Sequence, residues 1–249
     1  MLIDFHTHIG NSIFGYKQTP TKLFANMKKF DIEKAVICPV KPYSYHLEIQ
    51  NNYIAKLTKK YPDKLIGFCR VDPRLKTKAV KEVTRCSKEL NLKGLFLHPW
   101  EETFQINDEI VVPIIKEAEK NNMLVMISGG HLRVSRAWQI SELTSKFPNV
   151  TFIITSAGQI NISGSSLFEA ELMIKENPNI IVETSGIYRE DFIEEIVKKY
   201  GKDRVVFGSN SPEYNLALEI KRVQWAHLEK EEINSISYLN ALKILNIQK

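Results

Sequence analysis

The chain has 249 residues, 43% of them hydrophobic and 25% charged, with a formal net charge of +5. That is enough chain to bury one sizeable core, and the composition excludes a disordered or fibrous protein. The lysines are spread along helix-like segments and mixed with acids, as at Lys56, Lys59, Lys60 and Lys76, Lys78, Lys81, which favours solvated helix faces over a basic nucleic-acid patch.

From the start of the chain, an apolar run at 1–5 is followed by a helix-like stretch at 22–30, a run at 34–40 by a helix at 47–60, a run at 64–71 by a helix at 76–90, and a run at 94–97 by a helix at 110–121. Further runs follow at 123–127, 150–155, 180–183 and 205–207, with a helix at 191–200. The connection from 156 to 180 is longer and carries a polar loop at 159–166, and residues 231–247 read as one or two closing helices on the barrel's outer ring. Short runs rich in Val, Ile, Leu and Phe alternating with amphipathic segments predict βα units on a parallel sheet. Eight runs with no linker between them predict an α/β protein, a single-domain (β/α)8 TIM barrel over residues 1–249, in preference to an open doubly wound sheet.

Cys38, Cys69 and Cys86 are too few and too irregularly spaced for a disulfide framework or a cysteine-based zinc site. The N-terminal MLIDFHTH lacks a signal-peptide pattern, and no window is apolar over the ~18 residues a membrane span requires. The expectation is a soluble, cytoplasmic protein that binds neither nucleic acid nor membrane and is free to form a homo-oligomer.

In a barrel the strands' C-terminal ends carry the active site. The residues there are His6-Thr7-His8, His98, Ser128-Gly129-Gly130-His131, Ser156-Ala157-Gly158 and Gly208-Ser209-Asn210. His6 and His8 are two apart, so on an extended strand both imidazoles face one side, as two ligands of one metal ion must. His98 ends its run before Pro99, which cannot extend the ladder, so it faces the barrel mouth or bonds a neighbouring loop. His46 and His227 lie in helix-like stretches away from the strand ends and read as surface or packing residues.

These blocks, together with Lys93 to Pro99, Val150 to Gly158, Asn179 to Gly186, Asp203 to Pro212 and the closing Asn240-Ala241, resemble the amidohydrolase-related family of the metal-dependent hydrolase superfamily along the whole chain. The resemblance implies a divalent metal, usually zinc, held by the His-x-His pair, a histidine after the fifth strand and often an aspartate after the eighth. In that scheme the metal lowers the pKa of a water toward ~7, the water attacks an amide, ester or related carbon, and the aspartate moves the proton; some members are decarboxylases.

This chain departs from the pattern at three positions: Ser128 follows the fifth strand, Ser156 the sixth, and Asn210 stands where the aspartate belongs. A serine hydroxyl is a poor zinc ligand and an amide has no useful basicity. The expected metal ligands are therefore His6, His8 and His131, the last swung inward by the Gly129-Gly130 loop, with His98 as alternative third ligand or base. His98 and Asn210 are the catalytic candidates, and Ser128 and Ser156 would contact a small-molecule substrate. Phe14, Tyr16, Trp100 and Trp138 suggest a ring-bearing one, or are packing residues. The leading expectation is a metal-dependent hydrolase or lyase with an altered site. The alternatives are a catalytically inactive barrel for ligand binding or partner assembly, and a metal-free enzyme using His98 and Glu183.

Overall fold

Residues flanking an inward-facing barrel position meet the surrounding helices, so each strand is buried on both sides and reads as a continuous apolar run. The computed structural model describes residues 1–160 and 164–247. Its strands are β1 (Leu2–Asn11), β2 (Lys17–Gln18), β3 (Ile32–Pro39), β4 (Leu65–Arg70), β5 (Gly94–Leu97), β6 (Leu124–Ile127), β7 (Phe152–Ile154), β8 (Ile180–Glu183) and β9 (Val205–Val206). They lie in the order β2-β1-β3-β4-β5-β6-β7-β8-β9, with only β2 antiparallel to its neighbour. Closure is made by the Phe5 N–H donating to Phe207 O at 2.9 Å, the His8 N–H donating to Ser211 O at 2.7 Å, and a parallel bridge between Thr7 and Ser211. The result is the expected (β/α)8 barrel, with β2 added as a short flap on β1.

Ile3, Phe5, Val36, Cys38, Phe68, Phe96, Met126, Ile153 and Val206 fill the barrel interior, while the alternate residues, such as Ile37, Leu95, Val125 and Ile154, pack against the helices. Gly94 is required here because a Cβ would lie 2.5 Å from the Phe68 ring. The closing segment differs from expectation. Residues Lys230–Asn234, a π-helical turn Ser235–Leu239 and Asn240–Ile244 place Tyr238, Ala241 and Leu242 against the inner core, so they plug the barrel floor instead of completing its outer ring. Asn240 Nδ2 fixes the plug by donating to the carbonyls of Lys202 and Val205 at 2.7 and 2.8 Å. Part of the polar loop read at 159–166 lies outside the described residues.

Candidate functional site

β1 runs further than its apolar sequence, through the two histidines to Asn11. Its pairing with β3 steps from Asp4↔Ala35 to Thr7↔Ile37, three residues against two, so one extra residue is accommodated as a bulge. The bulge switches the side-chain parity: Ile3 and Phe5 face inward below it, and His6 and His8 face inward above it. Asp4 anchors the turn by accepting from Ser209 Oγ at 2.6 Å, the Ser209 N–H at 2.9 Å and the His6 N–H at 3.2 Å.

The two imidazoles are fully buried, and burial lowers both pKa values to about 3, so both are neutral. His6 Nδ1–H donates to Glu183 Oε2 at 3.2 Å, and Glu183 also accepts from the N–H and hydroxyl of Ser185 at 2.6 and 2.7 Å. Burial raises the Glu183 pKa to about 7. With its proton on Nδ1, His6 turns a bare Nε2 lone pair toward His8 Nε2, 3.1 Å away. His8 Nδ1 has no hydrogen-bond partner, and without a cation a His8 tautomer protonated on Nε2 donates to that lone pair.

A divalent cation fits this pair. Bonds of about 2.1 Å put neighbouring donor atoms roughly 3 Å apart, which matches the observed Nε2 separation, and a carboxylate behind one ligating histidine is the usual way to fix its tautomer. Another buried atom without a partner is Asn210 Oδ1, on the segment whose backbone N–H donates to His6 O at 2.8 Å. Among the described residues no group of three or more His, Cys, Asp or Glu side chains is arranged to hold a metal ion, so the histidine–carboxylate shell that the resemblance implies is not assembled.

At the end of β5, the Glu101 N–H donates to His98 Nδ1 at 3.2 Å. Burial holds the His98 pKa well below its usual value. A neutral imidazole whose Nδ1 accepts carries its proton on Nε2, so in this arrangement His98 turns an N–H toward Ser128. Its Nε2 lies 3.4 Å from Ser128 Oγ and 3.9 Å from Glu101 Oε1. Behind it sits a cluster that the sequence reading did not single out. Arg70, fully buried, bonds both oxygens of Glu102 at 2.8 Å and also Glu101 Oε2; Lys41 reaches the Glu101 carbonyl; and Tyr16 O–H donates to Glu101 Oε1 at 2.9 Å. Burial alone would raise the Glu101 pKa, but the Arg70 charge and hydrogen bond outweigh it and keep Glu101 ionised. A charged Arg70 inside the apolar run 64–71 was the available signal, since a buried guanidinium demands carboxylate partners.

Above these groups opens a cavity of about 710 Å³, lined among others by Tyr16, His98, Trp100, Glu101, Ser128, His131, Ser156, Asn210 and Glu213. The structure therefore brings Ser128, Ser156, His98, His131 and Asn210 to one space, with His6 and His8 beside it; the His8 ring is 6.0 Å from that of Tyr16. His131 stacks flat on Trp100 with ring centroids 5.7 Å apart, and lies 5.6 Å from the His98 ring, so it joins His98 and not the β1 pair. Trp138 is not among the lining residues, whereas Glu213, not foreseen from the sequence, is. Ser156, Ala157 and Asn210 have φ of 53°, 51° and 47°, a left-handed backbone that non-glycine residues enter only where surrounding structure enforces it. A larger cleft of about 1000 Å³ lies outside the barrel and holds none of the candidate residues.

The profile of the amidohydrolase family matches residues 3–247. Among solved structures, the 2,6-dihydroxybenzoate decarboxylase from Rhizobium is 14% identical with a TM-score of 0.77, covering 99% of this chain and 98% of its own. A dihydroxybenzoic acid decarboxylase from Polaromonas sp. JS666, solved with bound manganese and the inhibitor 2-nitroresorcinol, is 15% identical with a TM-score of 0.77, covering 100% and 97%. The 4-oxalomesaconate hydratase from Rhodopseudomonas palustris is 18% identical with a TM-score of 0.71, covering 99% and 96%. Comparison with curated protein sequences gives no match.

Proposed function

The chain belongs to the amidohydrolase family, and from that premise we propose that it is a hydrolase or lyase that acts on a small molecule in the 710 Å³ cavity with the help of a divalent cation. The observation that carries this reading is the convergence of two buried, neutral Nε2 atoms to 3.1 Å with Glu183 behind one of them. His6 and His8 would hold the ion, with Asn210 Oδ1 as a neutral third donor. An oxygen donor and two imidazoles suit manganese as well as zinc. When bound, such an ion supplies Lewis acidity and a water of lowered pKa.

The chain's own groups then have separable tasks. His98 Nε2–H, fixed by the Glu101 N–H on its Nδ1, hydrogen-bonds a substrate oxygen as a neutral donor. Ser128 and Ser156 position the substrate through their hydroxyls. Asn210 cannot accept a proton; its Nδ2 donates to Glu213 Oε2 at 3.2 Å, which leaves Glu101 and Glu213 as the cavity's carboxylates for proton transfer. Three buried free cysteines are consistent with a reducing cytosol, and no described helix is long and apolar enough to cross a membrane.

A second reading, a barrel that binds its ligand without turnover, rests on the Asn210 amide in place of the family's aspartate. Both readings meet one test. Protein purified without a metal-affinity tag is assayed for bound metal by inductively coupled plasma mass spectrometry, and for Mn²⁺ uptake by electron paramagnetic resonance, beside a His6→Ala, His8→Ala double variant. Near-stoichiometric metal in the wild type that disappears in the variant supports the enzyme. Absence of binding even with excess Mn²⁺ and Zn²⁺ removes it and leaves the binding barrel.

A further inference from the structure

The cleft of about 1000 Å³ opens at the opposite end of the barrel from the cavity. Its wall is drawn from the starts of strands and the last turns of a helix: Lys34 stands near the start of β3, Leu65 and Ile66 open β4, Lys93 precedes β5, and Lys56 and Lys59 end the helix Leu47–Lys60. The floor is apolar, made by Leu65, Ile66, Leu90, Leu245 and Ile247. Of these, Ile66, Leu245 and Ile247 also pack against the inner core, so the cleft lies directly on the end of the plug. Among the described residues its charged groups are Lys34, Lys56, Lys59 and Lys93 against one carboxylate, Glu89. Lys34 Nζ donates to the Asp63 carbonyl at 2.6 Å and Lys93 Nζ to Asn91 Oδ1 at 3.2 Å. Both acceptors are neutral, and each ammonium keeps further N–H donors.

We propose that this cleft is a second binding site, for a free amphipathic anion: an alkyl or aryl body joined to a phosphate or carboxylate. Small-molecule sites of roughly 300–1,000 Å³ combine mainly apolar walls with a few polar anchors, and this cleft has both. The apolar body rests on Leu65, Leu90 and the end of the plug, where each buried methylene adds to affinity. The anionic group sits among the ammonium groups and takes charge-assisted hydrogen bonds from them. Neither part suffices alone. Exposed lysines hold a bare anion weakly because water and salt screen them, and an apolar body with a cationic head would meet four like charges. A concave site of this size takes up a single molecule, whereas adsorption to a bilayer needs only a flat charged face. The cleft shares no described lining residue with the cavity at the barrel mouth, so the proposal is independent of the reaction assigned there. An occupant bridges the helix Leu47–Lys60, the segment before β5 and the plug, and binding to the native state alone raises stability.

The test titrates octyl phosphate, inorganic phosphate and octylammonium, each below the concentration at which it aggregates, against the full chain by isothermal titration calorimetry with EDTA present. Octyl phosphate is expected to bind at least about tenfold more tightly than either of the others and to raise Tm. The Lys56→Glu, Lys59→Glu variant alters two exposed residues of the cleft and is expected to weaken octyl phosphate by about tenfold or more. Lys78→Glu, Lys81→Glu makes the same change in net charge at exposed positions outside the cleft and is expected to leave the affinity within about threefold, because distant surface charges are screened. Octyl phosphate binding no tighter than inorganic phosphate overturns the proposal, as does equal weakening by the two variants or no weakening by the first. Vesicles of phosphatidylcholine and phosphatidylserine form the last arm. Sedimentation of the protein with them, without binding of octyl phosphate, overturns the free ligand and assigns this face to a membrane surface.

Discussion

Single positions in this protein show how one atom changes the chemistry available. Asn210, whose backbone N–H bonds the His6 carbonyl, presents an amide oxygen where a carboxylate would carry a negative charge, and its Oδ1 is buried without a partner. Asn210→Asp should therefore tighten Mn²⁺ binding by about tenfold or more, because carboxylates are stronger ligands of hard cations than amides, as read by electron paramagnetic resonance of free Mn²⁺; unchanged affinity would place the amide oxygen outside the ion's reach. His131 gives a pH signature. Burial lowers its pKa from 6.5 to about 4, so between those values the unfolded chain binds a proton that the native state refuses. Stability contributed by His131 is thus complete above pH 6.5 and is lost as pH falls toward 4. Asp4 and Glu183, both raised to about 7 by burial, act in the opposite sense: their contribution is present at low pH and is lost as pH rises through 7. The difference between wild type and His131→Asn isolates the histidine. The variant should lose less stability than the wild type between pH 6.5 and 4, by about 2 kcal/mol after allowance for partial exposure, measured by urea denaturation at each pH.

At the level of elements, the site depends on how strands are staggered. Without the bulge between Asp4 and Thr7, the side-chain alternation of β1 would send His6 and His8 outward toward the helices, and the pair would be lost although both residues remained. The inner layer is equally specific, since the Phe68 ring occupies the space a side chain at Gly94 would need, and Phe68 is itself fully buried. Gly94→Ala should destabilise the protein by about 2–3 kcal/mol, the cost of overpacking a close-packed core, seen as a lower urea midpoint with an unchanged slope. A change below about 0.5 kcal/mol, the level of an ordinary surface substitution, would mean that the ring has somewhere to go.

Across the whole molecule, the barrel is closed at the top by Asp4, His6 and His8 bonding to the segment after β9, and at the bottom by the plug carrying Tyr238 and Leu242. Between them lies the Arg70–Glu101–Glu102–Lys41 cluster, in which two carboxylates are buried only because two cations face them. Arg70→Met removes the larger share of that compensation and should destabilise the fold by about 3–5 kcal/mol, the usual penalty for leaving one side of a buried ion pair; thermal unfolding checks it. The same variant should raise the Glu101 pKa, since the guanidinium is what keeps that carboxylate ionised.

The sequence by itself determined the barrel. Eight apolar runs of strand length with amphipathic crossovers admit few other topologies, because parallel strands buried on both faces must be wholly apolar and their helices must be amphipathic. It also determined that His6 and His8 share a side, since a two-residue spacing on a strand fixes it. Tertiary structure alone decided the rest. That His98 Nδ1 is occupied follows from a neighbouring backbone N–H, that His131 stacks on Trp100 follows from the path of a loop, and that Glu101 lines the cavity ionised follows from Arg70, 31 residues earlier in the chain. Protonation state and side-chain direction depend on neighbours distant in sequence, and local spacing carries no record of those contacts.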